Sequence, residues 1–334
     1  MTQSAPIIVK VVVDRPLNDA FDYSWNSASL GAKPEIGMLV EVPFGRTNLV
    51  GLIIEVSSYT QINQTKLKNV LQVAPLIPLD SRLMQLGYFA SQYYIHGLGE
   101  TLISAIPKWW RTRTHWNKPL QQLIAKERAT AQSNSKKNPA QNQLNEEQTH
   151  AIQILSNHQA GTFNTYLLNG VTGSGKTVVY LTFIESLLKL DRSAQALIML
   201  PEINLTPQLQ RRIQDHFPEE NLAILHSGLT EKQRGIAWHQ AMTGAARIVL
   251  GTRLSIMTPL PKLVAIIVDE ENDSSFKQQE GLGYSARDLA IWRAKNERLP
   301  IILVSATPSS QTWHAVKEGR YQEIRLTSRV GGFR

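Results

Sequence analysis

The stretch that decides the fold runs from Gly170 to Thr177, GVTGSGKT. It satisfies the pattern G-x-x-x-x-G-K-[ST] at every fixed position. In such a loop the glycines let backbone N–H groups close around phosphate oxygens, and the helix that follows adds the positive end of its dipole. The surroundings agree. Asn164–Asn169 (NTYLLN) reads as a short apolar strand, and Val178–Leu190 (VVYLTFIESLLKL) has helical periodicity. Gly170, Thr172, Gly173, Ser174 and Gly175 are therefore expected to cradle phosphates. Lys176 should reach the β- and γ-phosphates, and the Thr177 hydroxyl should hold Mg²⁺. The cofactors this predicts are ATP and Mg²⁺.

Outward from the loop, the chain from Leu144 alternates β and α. Candidate strands are Tyr166–Asn169, Ala196–Leu200, Leu222–Leu225, Ala246–Leu250, Leu263–Val268 and Ile301–Ser305. Most are short continuous apolar runs, as expected of parallel strands covered on both faces. The prediction is an α/β, RecA-like, parallel-sheet lobe over 144–334, with the phosphate loop after its first strand. The segment LVAIIVDEEN ends one strand in Asp269 and Glu270, 93 residues after Lys176. An acid at the end of a buried strand can reach the Mg²⁺ sphere, and the next can polarise the attacking water. Asp269 is thus assigned to the metal and Glu270 to the water, with Lys176 completing the catalytic set. Gln148, in LNEEQTHAI, carries both a donor and an acceptor for an adenine edge. LPEINLTPQL (200–209) and GTR (251–253) follow predicted strands, where backbone N–H groups, hydroxyls and Arg253 suit a phosphate backbone. SAT (305–307) follows the last strand and is placed to link the two sites.

Upstream, residues 1–79 look β-rich, with Ile7–Val13, Met38–Pro43 and Val50–Val56 as β-branched runs. Asp80–Ile106 changes to helical spacing after an Asp80/Ser81 cap, with Tyr93 and Tyr94 on the core side. Residues 108–143 change composition again. Their first half interleaves Trp109, Trp110 and Trp116 with Arg111, Arg113 and Lys118, which suits either base stacking beside phosphates or a packed interface. The second half is polar and reads as a linker. Net charge is +8, and residues 106–145 hold 8 basic groups against 1 acidic. That segment is either a solvated linker or a polyanion contact. The chain has no cysteine, hence no disulfide framework and no Cys-type zinc site. No apolar run is long enough to cross a membrane, and the N-terminus has no signal-peptide pattern. A cytoplasmic protein without a membrane partner is expected.

Taken together, GVTGSGKT, PEINLTPQ, LHSGL (225–229), GTR, VDEENDSSFKQQEG (268–281), YSARD (284–288) and SATPS (305–309) make the chain resemble the PriA family, superfamily 2 DNA helicases of replication restart. DSSFKQQEG is the most diagnostic of these. FDY (21–23) and VPFG (42–45) extend the resemblance into residues 1–107, which look like the family's 3′-end DNA-binding domain. The resemblance implies that Phe21, Asp22, Gly45 and Lys68 hold the 3′-terminal nucleotide of a nascent strand. It also implies DNA contacts for Arg253, Phe276, Lys277, Tyr284 and Arg287. Forked and single-stranded DNA, single-stranded DNA-binding protein and primosome components are the partners it implies, with 3′→5′ ATP-dependent unwinding by the full protein.

Four departures bear on that expectation. Asn272 stands where the family has His, a residue that links the ATP and DNA sites. Leu282–Gly283 replaces a Trp-Arg pair, so Phe276 and Tyr284 are left as the loop's aromatics. Residues 108–143 are too short for the family's winged-helix domain, and the sequence to Arg334 holds neither a second RecA-like lobe nor zinc-binding cysteines. The sequence therefore reads as an N-terminal portion with weak or no turnover by itself. The alternative is a DNA- and nucleotide-binding module without helicase activity.

Overall fold

The computed structural model describes residues 7–17, 19–63, 65–118 and 144–329. They form two compact units, one N-terminal and one built around the phosphate loop. In the N-terminal unit the β-branched runs pair as their period demands. Strands β1 (Ile7–Val13), β2 (Phe21–Trp25), β3 (Leu39–Phe44), β4 (Thr47–Ser57) and β5 (Gln72–Val73) make an antiparallel sheet in the order β2-β1-β4-β3-β5. Alternate residues Val9, Val11 and Val13 face one way, with Tyr23, Trp25, Val40, Val42 and Ile53. β2 was not among the predicted strands, because Asp22 and Ser24 interrupt its apolar pattern. It pairs with β1 from Val11↔Phe21 to Ile7↔Trp25.

A one-turn helix, α1 (Ser27–Leu30), follows β2. The predicted helix over 80–106 is two helices, α2 (Ser81–Tyr93) and α3 (Leu98–Ser104). Asp80 caps α2 as expected, its carboxylate accepting from the N–H groups of Arg82 and Leu83 at 2.9 and 3.0 Å. The chain breaks at Ile95, whose φ is +52°. Tyr93 therefore falls at the helix end and is 67% exposed, not core. Of the predicted linker, residues 108–118 are described and 119–143 lie outside the described residues. Trp109, Trp110 and Trp116 are buried, with Trp116 donating its indole N–H to the Trp110 carbonyl and Trp109 stacked on His115. They pack; they do not present open rings for base stacking.

In the second unit, β6 (Asn164–Gly170), β7 (Gln195–Met199), β8 (Leu222–Leu225), β9 (Ile248–Gly251), β10 (Leu263–Asp269), β11 (Pro300–Ser305) and β12 (Gln322–Leu326) are all parallel, in the order β12-β6-β11-β10-β7-β9-β8. Helices α4 (Glu146–Ser156), α5 (Lys176–Leu190), α6 (Pro207–His216), α7 (Glu231–Met242), α8 (Ala286–Glu297) and α9 (Ser310–Lys317) separate most of them. The predicted RecA-like lobe is present, and Tyr166, Leu168, Phe183, Ile198, Ile267 and Ile302 fill its core. β12 escaped prediction because it is an edge strand with alternating exposure, burying only Ile324 and Leu326. Parallel pairing sends the C-terminal ends of β6, β10 and β11 to one edge of the sheet. Register aligns Asp269 with Val304 and Val304 with Leu168, so β11 alone separates the acid from the strand that feeds the phosphate loop.

Candidate functional site

The phosphate loop takes its shape from two glycines. Gly173 and Gly175 have φ of +82° and +83°, a region L side chains rarely adopt. The second delivers the chain into α5, which begins at Lys176. The Lys176 ammonium is turned back on the loop, donating to the Gly170 carbonyl at 2.7 Å and the Val171 carbonyl at 3.4 Å. The buried Ser174 hydroxyl has no hydrogen-bond partner among the described residues. A cavity of about 320 Å³ opens beside the loop, lined by residues 172–178, Gln148, Arg212, Asp269 and Glu270. Every predicted phosphate-loop side chain except Gly170, and both acids, meet there.

Gln148 lies on this cavity, but its amide serves the protein. Its Nε2 donates to the Ser174 carbonyl at 2.9 Å, and its Oε1 accepts from the Asn145 N–H at 3.0 Å. With Asn145 it forms a capping box at the start of α4. The structure thus gives Gln148 a bracing role on the loop, using one donor and one acceptor foreseen for adenine.

Asp269 ends β10 with one carboxylate oxygen accepting from the Glu270 N–H at 3.0 Å and the other from the Tyr180 hydroxyl at 3.1 Å. Burial pushes its carboxyl up to about 6; the Tyr180 bond opposes that and the Glu270 charge reinforces it. Glu270 has φ +50°, a conformation uncommon for a non-glycine residue and concentrated at functional turns. An unpartnered buried hydroxyl in a loop of N–H groups suits phosphate, and two adjacent acids in a half-buried cavity suit a divalent cation. The residues present fit ATP with Mg²⁺.

The next two residues tie this turn to SAT. Asn272 accepts from the Ser305 hydroxyl at 2.8 Å, and its amide donates to the Thr307 hydroxyl at 3.4 Å. Asn272 thus bonds two hydroxyls of the SAT segment. Glu271, fully buried, accepts from the Ser309 N–H at 2.7 Å, the Thr312 hydroxyl at 2.9 Å and the Arg287 guanidinium at 3.1 Å.

That network also engages Arg287, one of the residues expected to contact DNA. The Arg287 guanidinium is held by Glu271, Asp288, Ser309 and Gln311, so it is part of the protein's own framework. Phe276 and Tyr284, the other aromatic members of that expected set, are buried, each 3% exposed. Arg253 donates to the carbonyls of Ser275 and Lys277 at 3.2 and 3.3 Å, holding the loop in place, while Lys277 is exposed.

In the N-terminal unit the structure gathers Phe21, Asp22, Gly45 and Lys68. The Phe21 ring meets Phe44 edge-on at 5.1 Å, next to Gly45 in the β3–β4 turn. Lys68 donates to the Gly45 carbonyl at 3.5 Å, and one Asp22 oxygen accepts from the Thr60 hydroxyl at 2.5 Å. By contrast, three cations of the described linker have internal partners. Arg111 pairs with Asp14 at 2.9 Å, Arg113 with Glu41 at 2.8 Å, and Lys118 lies over the Trp109 ring at 4.7 Å.

Tyr180, Arg212 and Thr60 were not singled out from sequence. Tyr180 and Arg212 sit in ordinary helical stretches, and Thr60 lies in a polar loop, so none carries a local signal.

Residues 10–107 match the profile of the 3′ DNA-binding domain of PriA, and residues 145–316 that of the DEAD/DEAH box helicases. Among curated proteins, the chain is 35% identical to the replication restart protein PriA of Haemophilus influenzae, over 97% of this chain and 52% of that one. It is 30% identical to that of Treponema pallidum, over 97% and 47%. With the Synechocystis protein the identity is 48% over 46% of this chain and 18% of the relative. The chain spans about half the length of the first two of these relatives. Among solved structures, RecG bound to a three-way DNA junction aligns with 98% of this chain and 50% of its own at a TM-score of 0.41 and 17% identity. Among the described residues no helix is long and apolar enough to cross a membrane.

Proposed function

Because the chain belongs to the DEAD/DEAH box helicases and carries a PriA-type 3′ DNA-binding domain ahead of that lobe, we propose that it is the part of a replication-restart helicase that reads a 3′ end and binds ATP. The observation that carries this reading is the cavity where Lys176, Thr177, Asp269 and Glu270 meet. Lys176 leaves the Gly170 and Val171 carbonyls for the β- and γ-phosphates, and the Ser174 hydroxyl gains the partner it lacks. Thr177 and Asp269 hold Mg²⁺, which when bound offsets charge on the phosphate oxygens. Glu270 orients the attacking water and takes its proton. Asn272, bonded to Ser305 and Thr307, passes the state of that turn to the SAT segment. Phe21, Asp22, Gly45 and Lys68 take the 3′-terminal nucleotide of a forked substrate, with Lys68 on phosphate and Arg253 and Lys277 near the single strand. In the full-length protein we assign the cycle to 3′→5′ unwinding, alongside single-stranded DNA-binding protein and primosome components. Support for that wider role lies in the relatives named for replication restart.

The test uses this chain. A fluorescent ATP analogue is titrated with and without Mg²⁺, and a labelled fork with a recessed 3′ end is titrated separately. Saturable binding of both is expected. A chain that binds forks but no nucleotide would sink the ATP assignment.

A further inference from the structure

Behind the cavity, and not lining it, sits Tyr180. It is fully buried, three residues after Thr177 and four after Lys176, so all three share one face of α5. Phe would pack as well in an apolar helix face. What Tyr adds is a hydroxyl, and a hydroxyl without a partner at that depth is costly. Its acceptor is the Asp269 carboxylate at 3.1 Å, with the Thr177 side chain close by. Asp269 is consequently held from two directions: by Tyr180 on Oδ2 and by the Glu270 N–H on Oδ1. A free carboxylate turns about its last torsion with little resistance. This one has both oxygens tethered, and each retains acceptor capacity for the cavity.

We propose that Tyr180 is a positioning residue: it fixes the Asp269 carboxylate in the orientation that receives the divalent cation accompanying the nucleotide. It touches neither nucleotide nor metal and acts through Asp269. Outer partners of metal ligands matter in this way because they set the ligand's orientation, and their loss commonly weakens metal affinity 10- to 100-fold. The inference rests on the ATP·Mg²⁺ reading of the cavity.

The test is Tyr180→Phe, which deletes one oxygen and keeps the ring. Binding of a fluorescent ATP analogue is followed as Mg²⁺ is raised, with thermal melts as a check on folding. The expected result is a half-saturating Mg²⁺ concentration about tenfold higher than wild type, with metal-free nucleotide affinity unchanged. Asp269→Asn removes the Mg²⁺-dependent gain, and adding Tyr180→Phe to it changes nothing further. The same half-saturating Mg²⁺ in Tyr180→Phe and wild type overturns this role alone. Equal losses with and without Mg²⁺ overturn it too, because packing would then be the cause. A wild-type chain with no Mg²⁺-dependent binding overturns this inference and the ATP·Mg²⁺ reading together.

Discussion

The phosphate loop and the N-terminal pocket are built on opposite plans. The loop is one run of eight residues at the end of a buried parallel strand. Its donors are backbone N–H groups, and its lysine is 9% exposed. The pocket draws Phe21 and Asp22 from a strand, Gly45 from a turn and Lys68 from a loop, and both Gly45 and Lys68 are exposed. The first is preorganised in a low-dielectric setting where each charged hydrogen bond counts heavily. In the proposed 3′-end site the side chains stand in water, where charge is screened and end chemistry would have to do the discriminating. Shared phosphate chemistry therefore gives two different sensitivities, and mutations should separate them.

The largest separation is expected from the lysines. Lys176→Ala removes a desolvated ammonium from the triphosphate site. Hydrogen bonds to charged groups contribute about 1.5–3 kcal/mol, and in the proposed complex Lys176 would make two, one to each of the β- and γ-phosphates, so ATP affinity should fall at least ~100-fold. Lys68→Ala should leave ATP affinity untouched. Fluorescence titration of both variants checks this, and a comparable ATP loss in Lys68→Ala would break the comparison.

Next in size is the discrimination of 3′ ends. If the Asp22 oxygen not bonded to Thr60 accepts from a free 3′-OH, a fork ending in 3′-OH should bind ~10- to 100-fold better than one ending in 3′-phosphate, the span of one charge-assisted bond. Asp22→Ala should erase most of that preference. Anisotropy on the two fork termini measures it. Equal wild-type affinity for both ends would mean that Asp22 is only a strand residue.

The acids give the third contrast. Asp269 holds its proton up to about pH 6 in the folded chain, against 3.8 for the free group. A raised carboxyl means the native state binds protons more tightly than the unfolded one. Its stability contribution therefore declines between about pH 4 and pH 6 and stays low above. Asp269→Asn should raise the stability of the metal-free chain above pH 6 by ~1–3 kcal/mol, and by little near pH 4. Thermal melts across pH without divalent metal would reveal it; a uniform shift at all pH values would refute the linkage.

How much was readable follows the same division. The loop, Asp269 and Glu270 were legible because each is local: a contiguous motif, or acids ending an apolar run. The parallel sheet was legible wherever strands are covered on both faces, and β12 was not because its outer face is polar. Residues whose surroundings come from neighbours distant in sequence were not legible in their contacts. Arg287 was expected at DNA by resemblance, and its pairing with Glu271, 16 residues away, has no signal in the sequence. Phe276 and Tyr284 were likewise named by resemblance, and the sequence does not say which way their rings face. Gln148 was found by its position, but capping geometry assigns its amide. The N-terminal grouping rests on resemblance alone, since no spacing rule joins residues 21, 45 and 68.

The smallest expected effect concerns salt, and the structure sharpens it. Sequence alone offers Arg111, Arg113 and Lys118 as phosphate contacts, because that segment carries most of the net charge. In the structure Arg111 and Arg113 are in ion pairs with Asp14 and Glu41, and Lys118 rests on Trp109. A cation already neutralised releases no counterion on binding DNA, so it adds nothing to the salt dependence. Lys68 has no carboxylate partner among the ion pairs of the described residues, only a carbonyl at 3.5 Å, and is exposed. Each duplex phosphate neutralised contributes about −0.9 to the slope of log affinity against log salt, and a single-strand phosphate about −0.7. Lys68→Ala should flatten the slope for fork binding by 0.7–0.9, roughly a threefold change in relative affinity between 50 and 200 mM salt. Arg111→Ala and Arg113→Ala should leave it where it was, and Lys176→Ala, inside the phosphate loop, should do the same. Anisotropy titrations of the four variants across that salt range decide the matter. A flatter slope in Arg113→Ala with none in Lys68→Ala would transfer the phosphate contact from the pocket to the basic segment.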